Sequence, residues 1–340
     1  MMKKTKVKLS KSSFIGPLIA ALLVAVAIGF TTDRFWDLNN WNNLILSVSI
    51  TALVAIGSTL VILIGGIDIS PGSMIAMLTM ILATMVKFEG IPLWAGVLLV
   101  VVFGAVLGAL NGVLTAYLAI PAFISTLATS SIYKGIAFLF NNGSPIFSVA
   151  DNLESIFYGK IFDVIPLPLI YVTILYVAFA FYMKYSKLGR EIYSVGGNES
   201  AAKLSGINVK RVKFYTFIIA GVMAGLGAVL MAARLNSGSP NYGDGLEMSA
   251  IAAAVIGGAS LSGGVGKIVN TILGAFTIVI VQNGLNLHAV PTSLQSITLG
   301  VIIIFAVLID IWKHLISAAI KKLLAKQAKQ VTGTGHTAGW

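Results

Sequence analysis

The feature that most constrains this chain is a series of apolar runs, each near the length of a bilayer crossing, recurring from one end to the other. A hydrocarbon core of about 30 Å asks for about 20 apolar residues per helix. Ten runs approach or exceed that length: residues 14–30, 44–64, 71–86, 92–119, 122–140, 164–184, 214–233, 249–260, 267–285 and 293–312. Two are short and one is long, so the pattern is compatible with nine to eleven spans. Only 10% of the residues are charged, against roughly 25% in an ordinary soluble domain, so the surplus apolar surface needs lipid as its solvent. The runs are continuous Leu, Ile, Val, Ala and Gly rather than the alternation of an outer-membrane barrel, and helices satisfy their own backbone hydrogen bonds in lipid. The expected fold is all-α, a polytopic integral membrane protein of about ten transmembrane helices.

Charge placement sets the expected orientation. With the N-terminus inside, the ten-run threading puts 18 of the 23 Lys and Arg on the inner side: five before residue 12, seven from Lys184 to Lys213, Lys267, and five from Lys313 to Lys329. The outer loops receive eight of the twelve acids: Asp33, Asp37, Glu89, Asp151, Glu154, Asp163, Asp244 and Glu247. That is the positive-inside bias, and it calls for an even number of spans with both termini cytoplasmic. The net charge of +11 is thereby explained without a nucleic-acid partner. The first run is followed by TTDRFWDLNNWNN rather than a small-residue cleavage site, so it reads as a retained span. No soluble insertion interrupts the spans. The chain divides into a basic N-terminus (1–13), a membrane domain (14–315) holding a cytoplasmic polar segment (185–213), and a basic tail (316–340).

Two stretches echo one another: IGGIDISPG at 64–72 and IGGASLSGG at 256–264, 192 residues apart. Helices broken near 65–72 and 257–266 would expose backbone groups, as transporter helices do along a pathway; two loops of like composition are the alternative. The threading puts both copies on the cytoplasmic side, so an inverted repeat would require a span count between them that differs by one. Gly104, Gly108 and Gly112, and Gly221 and Gly225, stand four apart, a spacing that permits close helix packing or a ligand groove.

Catalytic chemistry is poorly supplied. His288 falls in an outer loop, His314 at the inner boundary and His336 in the tail, and no set of acids, bases or metal ligands converges at one depth. There is no cysteine for a disulfide, thiolate ligand or nucleophile. GGVGKI at 263–268 fails as a phosphate loop, because Leu261 stands where glycine is needed and Ile268 where Ser or Thr is needed; Val269 breaks a dinucleotide fingerprint. The chain carries no ATP-binding motif and implies no bound cofactor or metal.

The few polar groups at membrane depth are candidates for a solute path. Asp68 and Ser70 either cap the helix opened by Pro71 or line the path. Asn111, Gln282, Asn283 and Asn286 interrupt apolar runs and must face protein or a wet cavity; they suit a hydroxyl-rich neutral solute or interhelical hydrogen bonds. Lys134 is expected to snorkel outward beside Tyr133, with a cavity-facing role as the alternative, and Asp310, next to Trp312, is expected at the interface. So few charges give an ion-coupled pump little to work with.

The densest polar stretch is KLGREIYSVGGNESAAKLSGINVKRVK at 187–213, with six basic and two acidic residues. Asn198 is a good N-cap, Glu199 suits the first turn, and Gly206 is a natural stop, which predicts a helix of about two turns. So short a helix needs docking to persist, and Ala201, Ala202 and Leu204 offer its apolar face. A position at lipid headgroups is the alternative.

ESAAKLSG at 199–206 is similar to the E-A-A-x-x-x-G coupling motif of ABC importer permeases, with Ser200 as an extra residue. With GREIYSVGGNESAAKLSGI, GGIDISPGS at 65–73, NGVLTAYLAIPAFISTLAT at 111–129 and AIAAAVIGGASLSGGVGKI at 250–268, the chain resembles the ribose-type monosaccharide permeases over nearly its whole length. The resemblance implies a homodimer in the bacterial cytoplasmic (inner) membrane, a cytoplasmic ABC ATPase that binds ATP and Mg²⁺, and an extracytoplasmic sugar-binding protein. It assigns coupling to Gly197, Asn198, Glu199, Ala201, Ala202 and Gly206, and the translocation path to Asp68, Ser70, Asn111, Gln282 and Asn283. The rival readings are a self-sufficient secondary carrier or channel and an integral membrane enzyme. Within the ABC reading, nucleosides, a furanose signal molecule and branched-chain amino acids are alternative cargoes.

Overall fold

The computed structural model describes residues 14–162, 165–309 and 311–312. The N-terminal basic cluster, Asp163, Asp310, His314, His336 and the basic tail lie outside these residues. The expected all-α architecture is found. Among the described residues thirteen α-helices follow in order: α1 (Ile15–Gly29), α2 (Leu38–Leu63), α3 (Pro71–Lys87), α4 (Leu93–Ala116), α5 (Ala122–Leu139), α6 (Leu153–Tyr158), α7 (Leu167–Tyr185), α8 (Lys187–Gly197), α9 (Glu199–Leu204), α10 (Val209–Leu235), α11 (Leu246–Ile256), α12 (Ile268–Leu287) and α13 (Thr292–Ile309). Seven are long and apolar enough to cross a membrane, and α1, α3 and α11 are shorter apolar helices. These ten lie over the ten runs. Two antiparallel two-residue ladders, Ile146–Phe147 with Ser237–Gly238 and Lys160–Ile161 with Ile165–Pro166, dress one end.

Helices α2 and α10 form the buried axis, whereas α4, α7 and α13 turn most of their surface outward. The fourfold glycine spacing is a packing device. A Cβ on Gly104 would meet the Gly221 carbonyl and one on Gly108 the Phe217 carbonyl, so α4 and α10 touch backbone to backbone with no room for a ligand.

The two echoed stretches sit side by side at one end of the bundle, which removes any inverted relation between them. The Gly264 amide donates to the Leu63 carbonyl at 2.9 Å. Gly196, near the end of α8, lies against both Leu63 and Gly264 so closely that a Cβ there would overlap them.

Helices α3 and α11 both begin inside the bundle. After α2, the chain climbs beside the start of α5: the Ile69 amide donates to Thr126 Oγ1 at 3.2 Å, and Ser73 meets Ser130 at 2.8 Å. Pro71 therefore opens α3 one to two turns above the start of α5. After α10, Asn236 turns left-handed and residues 237–245 run back along α3, with Gly238 against Thr79 and Gly243 against Gly72. Helix α11 then runs antiparallel to the first part of α12, its 11 residues spanning only about 16 Å. The sequence pattern put a crossing at 249–260; the structure replaces it with an inward-dipping segment followed by a half-length helix.

Candidate functional site

The polar segment after α7 builds a knob. Ser186 accepts from the Gly189 amide to start α8, whose Ile192 and Val195 are buried. Tyr193 donates its hydroxyl to the Gly266 carbonyl at 2.9 Å, and burial pushes that hydroxyl above its usual pKa, keeping the proton on the donor. Asn198, in extended conformation, accepts from the Ala201 amide at 2.9 Å and starts α9. Gly206 ends it at φ +82°, with its amide on Lys203 and the Ile207 amide on Ala202. Glu199 pairs with Lys213 of α10 at 2.8 Å.

The expected apolar face of α9 divides. Ala202 points into the core at 4% exposure, while Leu204 stands 90% exposed and Ala201 is exposed beside it. A Cβ added at Gly197 would point into open space, although its backbone packs against Gly264. A cleft of about 720 Å³ separates the knob from the 64–66 turn and the ends of α4 and α5, with Glu199, Lys203 and Lys213 on one wall.

Asp68, Ser70 and Asn111 come together, but away from any surface. Asp68 Oδ1 accepts from the Ser70 amide at 2.8 Å and its hydroxyl at 2.6 Å; Asn111 Nδ2 donates to Ser70 Oγ at 2.8 Å; Thr129 donates to Asn111 Oδ1 at 2.7 Å. All four are buried. Ser70 is the N-cap residue of α3 without a side-chain cap bond; Asp68 closes a local turn ahead of it instead. This network ties the broken segment to α4 and α5.

The amides near the end of α12 make the interhelical hydrogen bonds that one of the two readings expected. Gln282 donates to Ser249 Oγ at 3.1 Å, Asn283 and Asn40 exchange reciprocal bonds, and Asn286 accepts from Gln295 at 2.9 Å, so α12 is stitched to α11, α2 and α13. Gln282 and Asn286 also line two cavities of about 390 Å³ each, which share Ser47 and Arg234; Asn283 lines one of them. His288 is exposed just beyond α12, as expected, with Nδ1 2.8 Å from the Gly284 carbonyl.

Lys134 does not snorkel away. Its Nζ lies 2.5 Å from Asp244 Oδ1, with side-chain exposures of 27% and 63%. Glu247, in the first turn of α11, has its carboxylate against Gly72 at the start of α3. This pair and its neighbour escaped sequence reasoning, which assigned Asp244 and Glu247 to an outer loop. The shortness of the 249–260 run was the available signal, because a half-length helix obliges the preceding loop to enter the bundle.

A family model described as "Branched-chain amino acid transport system / permease component" matches residues 40–307. The ribose import permease protein RbsC of Escherichia coli K12 is 39% identical over 297 residues, 86% of this chain and 92% of that protein. RbsC of Bacillus subtilis is 36% identical, covering 87% and 92%, and the D-allose transport system permease protein AlsC of E. coli K12 is 35% identical, covering 86% and 89%. No solved structure gives a significant match. With a capped knob at one end of an all-helical membrane bundle and relatives of this kind over most of its length, the chain belongs to the ribose-type sugar permease family of ABC importers.

Proposed function

We propose that this chain is the translocating subunit of an importer that carries a monosaccharide, a ribose-like pentose or a hexose, across the bacterial cytoplasmic membrane. It works as a homodimer, crossing the membrane ten times with both termini in the cytoplasm. A separate ABC ATPase grips α9, and an extracytoplasmic binding protein delivers the sugar. The relatives named for ribose and allose support the cargo class. The chain does no covalent chemistry; ATP binding closes the partner ATPases, draws the two knobs together and rocks the subunits about a central path.

The observation that carries this reading is the anchored knob. Leu204 is an apolar side chain 90% exposed on a helix fixed by Asn198, Gly206 and the Glu199–Lys213 pair, and exposed apolar surface on a rigid element suits a protein partner. Behind it, Gly196 leans on Leu63 and Gly264, so force on α9 reaches both interrupted segments. Because Ala202 is buried, replacing it tests folding; Leu204→Asp tests docking. We expect L204D to keep the parent melting temperature and lose at least tenfold in ATPase co-purification and sugar uptake. Full association and uptake in L204D would remove α9 from the coupling role.

A further inference from the structure

We infer that the solute passes along a polar wall formed by the Lys134–Asp244 pair together with Ser249 and Gln282, at the level where α3 and α11 begin. The inference rests on the permease reading and locates the site that reading requires. Lys134 is the thirteenth of the 18 residues of α5, about 18 Å along its axis, two-thirds of the way up a helix that nearly spans a ~30 Å core. An ionised pair with one partner 63% exposed is costly against lipid at that depth and marks a watery or protein-lined surface.

A cavity of about 390 Å³ opens from Asp244 past Ser249 and Gln282 to Gln295 and Ser296, and its twin continues outward past Asn283. Each lies within the size range of small-molecule sites. The chemistry selects the ligand class. On the cavity wall Arg234 opposes Asp244, which Lys134 pairs from outside the lining, and the rest is amide and hydroxyl interleaved with Ile50, Met231, Leu246 and Leu299. A neutral polyol finds a donor and an acceptor at each step, because every hydroxyl is both. A charged solute meets a repelling neighbour for every attracting one. Exposed, shared hydrogen bonds hold weakly, as passage requires. The Asp68–Ser70–Asn111 network has no free face and is excluded from the wall.

The absence of native cysteine permits a direct test in the assembled complex in membrane vesicles. Single variants Asp244→Cys and Gln282→Cys are treated from the outer face with a membrane-impermeant charged methanethiosulfonate, beside the outward-facing controls Val106→Cys and Ile174→Cys, 57% and 60% exposed. We expect both wall positions to react at least tenfold faster than the controls, and to be slowed at least threefold by one of D-ribose, D-allose or D-xylose. If D244C upsets folding by leaving Lys134 unpaired, Q282C decides alone. Labelling no faster than the controls overturns the inference. Fast labelling that none of the three sugars slows, in a complex that takes one of them up, overturns the sugar wall. A wild-type complex that takes up none of the three while labelling stays fast contradicts the cargo proposed above and leaves the aqueous wall standing.

Discussion

Lys134 and Asp244 belong to segments 110 residues apart in sequence, and neither charge has another partner of opposite sign within ion-pair distance among the described residues. Neutralising one strands the other. Lys134→Met or Asp244→Asn should lower uptake about tenfold, and the exchange of Lys134→Asp with Asp244→Lys should recover it to within about threefold, as measured by initial uptake rates. Recovery identifies the pairing itself, rather than either charge, as the requirement. Asn111→Leu serves to test stability instead: it removes one partner each from Ser70 and Thr129, which keep Asp68 and the Thr126 carbonyl, and each lost bond costs about 1 kcal/mol. A melting temperature lower by several degrees is the expected readout. At this scale, legibility followed distance along the chain. Asn198 and Gly206 were readable because a cap bonds within three or four residues. The Ser70–Asn111 and Lys134–Asp244 contacts were not, because Asn111 and Asp244 reach that neighbourhood only through helix packing.

The interlocked glycines of α4 and α10 admit no side chain, whereas Gly135 on α5 faces open space. Gly221→Val should therefore abolish accumulation of the protein in the membrane, while Gly135→Val should leave it near the parent level, both scored by immunoblot of membranes. The ten apolar helices were legible because helices in lipid keep nearly unbroken apolar runs. The half-length of α11 and the inward return of residues 237–245 were not, since hydropathy records the company a residue keeps and not its depth. The cap formed by α6 and the two small ladders was equally silent: two-residue strands carry no period to detect.

For the whole molecule, the central prediction concerns energy. Proteoliposomes containing this chain alone should show no uphill sugar uptake under a proton or sodium gradient; adding the ATPase, ATP and the binding protein should establish it. Accumulation by the lone chain would favour the self-sufficient carrier. The sequence exposed the class of machine because basic loops, apolar runs and the 199–206 motif are each local. It leaves the stereochemistry of the cargo open, because amides and hydroxyls along a wall match the hydrogen-bonding capacity of many sugars alike. At the joint where Gly196 meets Leu63 and Gly264, the three backbones leave no slack for even a methyl group. A lever without slack transmits small strokes faithfully and also jams easily, so a wedge at that hinge should stall import while leaving both the engine's grip and the sugar's passageway chemically untouched.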